Sequence, residues 1–154
     1  QIPPKQVSFQ MTNTTDIFAT VASVVGVSLP DDVATDSFDM LPIMLGQQEE
    51  SKSVRPHLLT QSFRGEFQIR KGSWKFLDHQ GSGGNNYDVP NMKKWALPDK
   101  APNAPGQLYN LDDDPGETNN LYFMEEVKRK ELQALLARLK SSGRSAPKNR
   151  IPFR

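Results

Sequence analysis

The densest group of potential ligands is Asn110-Leu-Asp112-Asp-Asp114, a run of oxygen donors spaced like the opening of a calcium loop. An EF-hand loop needs glycine at its sixth position and a bidentate acid at its twelfth. Those places hold Pro115 and Leu121, so the acids are read as capping and solvating a turn. Gly81-Ser-Gly-Gly84 has the composition of a phosphate cradle, but no Gly-Lys-Ser/Thr ending and no helix start follow it, and it reads as a flexible loop. His57 and His79 are the sequence's two imidazoles. Neither stands in an HExxH context, and each is read as structural or exposed before it is read as catalytic. No Gly-x-Ser-x-Gly elbow supports acyl transfer. The absence of cysteine excludes a disulfide scaffold, thiolate zinc sites and a cysteine nucleophile. Asn13-Thr14-Thr15 fits the N-glycosylation pattern, but beside an apolar helix it reads better as a source of capping side chains. From these residue types alone, no reactive centre emerges.

The scaffold that positions them is modest. At roughly 100–200 residues per domain, 154 residues make one domain or part of one, and 36% are apolar. No apolar run has the ~18 residues of a membrane span, and the N-terminus has no apolar core of a signal peptide. A net charge of +1 gives no global reason to bind nucleic acid. Charge is nonetheless uneven. Every charged residue after Lys140 is basic (Arg144, Lys148, Arg150, Arg154), which reads first as a solvated tail and second as a contact for an anionic surface.

The first periodic segment, Asp16 to Val25, follows capping residues and precedes Gly26, so it is expected to be a helix. Only Thr20 and Ser23 interrupt its apolar positions, and so apolar a helix is normally enclosed on several flanks. The rest of the chain is too sparse in core residues to enclose it, which implies a neighbouring body. Phe38 to Leu45 reads as a short helical turn ending at Gly46. Strands are expected within Pro56–Ser62, at Glu66–Arg70 with Phe67 and Ile69 on one face, at Trp74–Leu77 with Trp74 and Phe76 together, and at Gln107–Leu111. Between the last two, Gly81 to Gly106 is a Gly-, Asn- and Pro-rich excursion. Asp114-Pro115-Gly116-Glu117 has the residues of a type II turn, with positive φ expected at Gly116. A helix over Leu121 to Ser141 follows, with Leu132, Leu135, Leu136 and Leu139 on one stripe and its acids early and bases late, as the helix dipole favours.

Four blocks, in this order, resemble the C-terminal end of the type I, formylglycine-dependent sulfatases of the alkaline-phosphatase superfamily. Thr15-Asp-Ile-Phe-Ala-Thr-Val-Ala-Ser-Val-Val-Gly26 is similar to that family's Asp-Ile-x-x-Thr helix ending in glycine. Asp36-Ser-Phe-Asp-Met-Leu-Pro-Ile-Met-Leu-Gly46 is similar to its DG-x-S-x-x-P-x-L-x-G stretch, with Ser37 where glycine is usual. Phe67-Gln-Ile-Arg-Lys-Gly-Ser-Trp-Lys-Phe-Leu77 resembles A-I-R-x-G-x-W-K-L. Gln107-Leu-Tyr-Asn-Leu-Asp-Asp-Asp-Pro-Gly-Glu-Thr-Asn-Asn-Leu121, the most specific block, resembles E-L-Y-x-L-x-x-D-P-x-E-x-x-N-L.

The alternation and leucine spacing already predict an α+β fold, a small antiparallel sheet of three to four strands packed by a long C-terminal amphipathic helix, and the resemblance places it. The apolar helix before it would pack on a large α/β domain absent from this segment. It divides the chain into residues 1–46 (end of the large sulfatase domain), 47–141 (C-terminal subdomain) and 142–154 (a basic, disordered tail). In the family a Cys/Ser-x-Pro-x-Arg nucleophile, converted to formylglycine, and the calcium ligands precede the matched region. Ser145-Ala-Pro147-Lys-Asn149 misses that motif by its last residue and is read as coincidence. The expectation is therefore a structural and cleft-rim role in a sulfuric ester hydrolase, with no catalytic, cofactor or metal residue on this segment. His57, His79 and the Gly81–Gly106 excursion are candidate rim features. The N-terminal catalytic domain and a sulfate ester are the implied partners, in a periplasmic or secreted setting, and self-association through the apolar helix is a further expectation. The rival reading is a free-standing module that binds a protein or a sulfated glycan.

Overall fold

A computed structural model describes residues 2–153. In chain order the elements are α1 (Asp16–Val24), α2 (Leu41–Met44), β1 (Leu58–Gln61), β2 (Phe67–Lys71), β3 (Trp74–Leu77), α3 (Pro90–Lys93), β4 (Gln107–Asn110) and α4 (Glu126–Ser142). They fall into two compact units, one of residues 1–58 with 139–154, the other of residues 59–138.

The second unit holds a four-stranded sheet in the order β1-β2-β3-β4, so consecutive strands are neighbours. The β2–β3 and β3–β4 pairs are antiparallel, and their register aligns Ile69, Phe76 and Leu108 across three strands. Because side chains alternate between faces, that row lies on one side and Gln68, Leu77 and Gln107 on the other, as do Arg70, Lys75 and Tyr109. Ile69, Phe76 and Leu108 are buried, as are Leu132 and Leu136 on the stripe of α4. Lys71 joins Glu131 at 2.7 Å, and the Lys128 ammonium lies 5.8 Å from the Trp74 ring centroid, so α4 is held to the β2–β3 hairpin end of the sheet by charge as well as apolar contact. The α+β expectation, a small antiparallel sheet with a long C-terminal helix, is what the structure shows. The helix begins at Glu126 rather than Leu121; residues 121–125 form turns before it.

The turn after β4 departs from the type II expectation. Glu117 N–H does close it on Asp114 C=O at 3.1 Å, yet the left-handed residue is Glu117 (φ 54) and not Gly116. Asp114 dictates this: its carboxylate accepts from Thr118 Oγ1 at 2.9 Å and from the Asn119 N–H at 2.8 Å, pulling the chain round one residue later. A non-glycine residue at positive φ carries strain. Here both oxygens of the displaced Glu117 engage Lys75, at 2.7 and 2.9 Å.

In the first unit α1 is turned inside out. Its buried residues are Asp16, Ala19, Thr20, Ala22 and Ser23, whereas Ile17, Phe18, Val21 and Val24 are more than half exposed. The buried face works through hydrogen bonds. Asp16 Oδ1 accepts from Phe38 N–H (3.0 Å), Thr20 Oγ1 from Met40 N–H (3.0 Å), and Ser37 Oγ from Ala19 N–H (2.8 Å). Ser37, the departure from the family pattern, thus has a structural use. Phe38 and Met40 form a small core with Ala146, against which Ile43 and Val54 pack.

The segment after α4, which composition reads as a solvated tail, is stitched to residues 30–37 of its own unit. Arg144 Nη1 donates to Asp31 C=O at 2.8 Å, and Arg150 Nη1 donates to Ala34 C=O at 2.6 Å. Ser145 N–H donates to Asp36 Oδ1 at 2.8 Å. Arginine's planar fork suits such carbonyl-rich turns, and with partners 113 and 116 residues away in sequence, no local pattern could announce them.

Candidate functional site

Two clusters bring polar side chains together, one in each unit. In the first, Asp16 and Arg55 form a buried bidentate ion pair, their side chains 2% and 1% exposed. Arg55 Nε donates to Asp16 Oδ2 at 3.0 Å, and Nη2 donates to Oδ1 and also to Asp36 C=O at 2.8 Å. The guanidinium carbon lies 4.3 Å from the Phe38 ring centroid, and Asn13 N–H donates to Asp16 Oδ2 at 2.8 Å. Buried charges persist only when paired and further hydrogen-bonded, and both conditions hold here. The cluster's chemistry is structural: it locks the start of α1 to the 36–38 and 55–57 segments.

The second cluster is a cleft of about 500 Å³ on the sheet face opposite α4. Its floor is Gln68, Lys75, Leu77, Gln107 and Tyr109, residues that the register sets on one face. The 81–106 excursion forms its other wall with Tyr87 and the stretch from Trp95 to Lys100. That excursion, expected to be irregular, carries the single helical turn α3, started by Pro90 where a missing N–H costs nothing. The floor is preorganised. Tyr109 Oη donates to Gln107 Oε1 at 2.7 Å, while Gln107 Nε2 donates to Gly81 C=O at 2.7 Å and to His79 C=O at 3.1 Å. Asn120 is consumed in holding backbone, accepting from Leu108 N–H at 3.0 Å. Burial, reinforced by Glu117, Asp99 and Asp114, pushes the Tyr109 phenol up to about 12.

The residues singled out from sequence are scattered. His57 belongs to the first unit, buried edge-on against Phe38 with ring centroids 6.1 Å apart, and its C=O accepts from Arg55 at 3.3 Å. His79 belongs to the second unit, with Nδ1 3.7 Å from Glu66 Oε2, and it meets the cleft floor through its backbone carbonyl. The acids after Asn110 shape a turn, with backbone hydrogen bonds from Thr118 and Asn119 holding the Asp114 carboxyl below its usual range. Among the described residues no three His, Cys, Asp or Glu side chains gather as a metal site. The calcium implied by the family resemblance has no such group to hold it among these residues. Sequence reasoning missed Arg55 and the Lys75–Glu117 pair. Only the pairing of Lys75 and Tyr109 across β3–β4 carried a signal, through strand alternation.

No family model matches the chain. An N-acetylgalactosamine-6-O-sulfatase of Bacteroides thetaiotaomicron is 31% identical over 126 residues, covering 82% of this chain and 23% of that protein. Human arylsulfatase A is 29% identical over 120 residues, covering 75% and 23%. A solved Bacteroides thetaiotaomicron structure, from work on the metabolism of multiple glycosaminoglycans, superimposes with a TM-score of 0.61 at 28% identity over 82% of this chain and 24% of that one. The chain thus spans about a quarter of the length of the relatives it matches. Likeness of sequence and of fold agree with the four ordered motifs, and this chain is a sulfatase-family segment, the counterpart of the C-terminal part of those proteins.

Proposed function

We propose that this segment is the non-catalytic C-terminal part of an arylsulfatase-like sulfuric ester hydrolase, where it buttresses the large catalytic domain and supplies the 81–106 excursion to the rim of the substrate cleft. The observation that carries this reading is the inversion of α1. Each large apolar side chain left in water forgoes roughly 1.5–3 kcal/mol of burial, and Ile17, Phe18, Val21 and Val24 all do so while the polar face is spent on internal hydrogen bonds. Such a helix is built to be covered, and the missing three-quarters of its relatives' length is the natural cover. Formylglycine and calcium belong, on this reading, to that larger part, and the substrate is a sulfate ester. The relative named for N-acetylgalactosamine-6-O-sulfate chemistry favours a sulfated sugar. A secreted or periplasmic setting goes with it. Of the two histidines, His79 is the rim candidate and His57 the structural one. In the test, purified chain is incubated with calcium and an aryl sulfate, and its apolar-dye fluorescence is compared with that of an Ile17→Glu/Val21→Glu variant. No turnover above background and dye binding that the variant loses are expected; turnover by the chain alone overturns the reading.

A further inference from the structure

The cleft under the excursion differs from an anion site, and the difference identifies a ligand class. Its formal charges balance: Lys75 and Lys100 against Asp99 and Glu117. Lys75 is already neutralised by both oxygens of Glu117, and the acids around Tyr109 are close enough to hinder its ionisation. With Lys75 and Glu117 closed on each other, a sulfate entering here would meet the Asp99 carboxylate beside Lys100, whereas a hydroxyl donates to that carboxylate and accepts from the Lys100 ammonium. The remaining surface suits a ring of alternating C–H and O–H groups. Tyr87 and Trp95 line the cleft, Trp95 is 64% exposed with the Lys94 ammonium 5.0 Å from its ring centroid on one side, and the other aromatic face is left for the weakly positive C–H side of a pyranose. The volume of about 500 Å³ is within the ~300–1,000 Å³ of small-molecule sites.

The geometry points to a subsite for a neutral, unsulfated sugar ring in the cleft between the outer sheet face and the excursion, with Trp95 and Tyr87 as platform and Asp99, Lys100 and Tyr109 as polar contacts. The subsite rests on the rim reading, since it would seat a neighbouring residue of the glycan whose sulfated unit is processed elsewhere in the enzyme. Binding is read without turnover, so a failure here leaves that reading standing. Titrate the full chain with N-acetylgalactosamine and, separately, with its 6-sulfate, following tryptophan fluorescence and two-dimensional NMR. The neutral sugar is expected to shift the Trp95 signals with millimolar affinity that does not change with added sodium chloride, and the sulfated sugar is expected to bind no tighter. Trp95→Ala, on an exposed side chain, should weaken binding about tenfold or more, the scale of losing an aromatic anchor, with an unchanged circular dichroism spectrum. Tyr109→Phe should weaken it less. No shift at the highest sugar concentration overturns the proposal, as does tighter, salt-sensitive binding of the sulfated sugar or binding that Trp95→Ala leaves intact.

Discussion

Helices α1 and α4 answer the same problem in opposite ways. Helix α4 buries leucines and shows charge to water: Leu132 and Leu136 are 0% and 3% exposed, Lys130 pairs with Glu126 in solvent, and Lys128 and Glu131 pair beside the sheet. Helix α1 buries Asp16, Thr20 and Ser23 and shows Ile17, Phe18, Val21 and Val24. The first arrangement is that of a helix whose partner surface is within this chain. In the second, polar side chains replace apolar packing with directed hydrogen bonds, because what they hold is a segment of backbone, Ser37 to Met40. The contrast teaches that hydrophobic amount and hydrophobic direction are separate questions: α1 is the more apolar helix, and the one whose apolar side nothing described here covers.

The sharpest way to break the contrast is at its polar hinge. Arg55→Ala leaves Asp16 buried without its counter-charge, and removing one partner of a buried pair costs about 3–5 kcal/mol. Urea unfolding should show that loss in the transition of the unit containing α1. Truncating the two apolar faces comes next. Leu132→Ala should cost about 2–5 kcal/mol, whereas Val21→Ser should stay within about 0.5 kcal/mol, because Val21 is already in water; equal effects would mean that α1's outer face is covered. The smallest effect is electrostatic. Hydrogen bonds from Lys128 and Lys71 hold the Glu131 carboxyl down to about 2. A depressed carboxylate stabilises the fold above its unfolded value of about 4.3 and loses that contribution as pH falls toward 2. Acid titration of Glu131→Gln should therefore remove part of the stability change in that window and leave neutral-pH stability slightly reduced.

Much of this was legible in one dimension. Strand alternation placed Ile69, Trp74 and Phe76 on their observed face, the leucine spacing placed the buried stripe of α4, and Gly26 and Gly46 ended their helices at φ 73 and 67. These are local facts, decided by periods of two and of 3.6 residues and by the freedom of glycine at positive φ. The turn after β4 shows the limit of local reading. Pro115-Gly116 advertises a type II turn, but side-chain hydrogen bonds from Thr118 and the N–H of Asn119 to Asp114 moved the left-handed residue to Glu117. The cleft was legible only as an excursion of unusual length beside a sheet; its floor became visible once three strands were in register.

Residue order alone therefore determined the element types, the meander of strands and the likeness to sulfatases, because each follows from neighbours a few positions apart. Tertiary structure decided which way α1 faces, that Arg55 reaches Asp16 across 39 positions, and that Arg150 anchors the segment after α4 by reaching Ala34. Those choices depend on desolvating a charge or a carbonyl only where a partner waits, and the location of that partner is a property of the folded chain, not of any stretch of it.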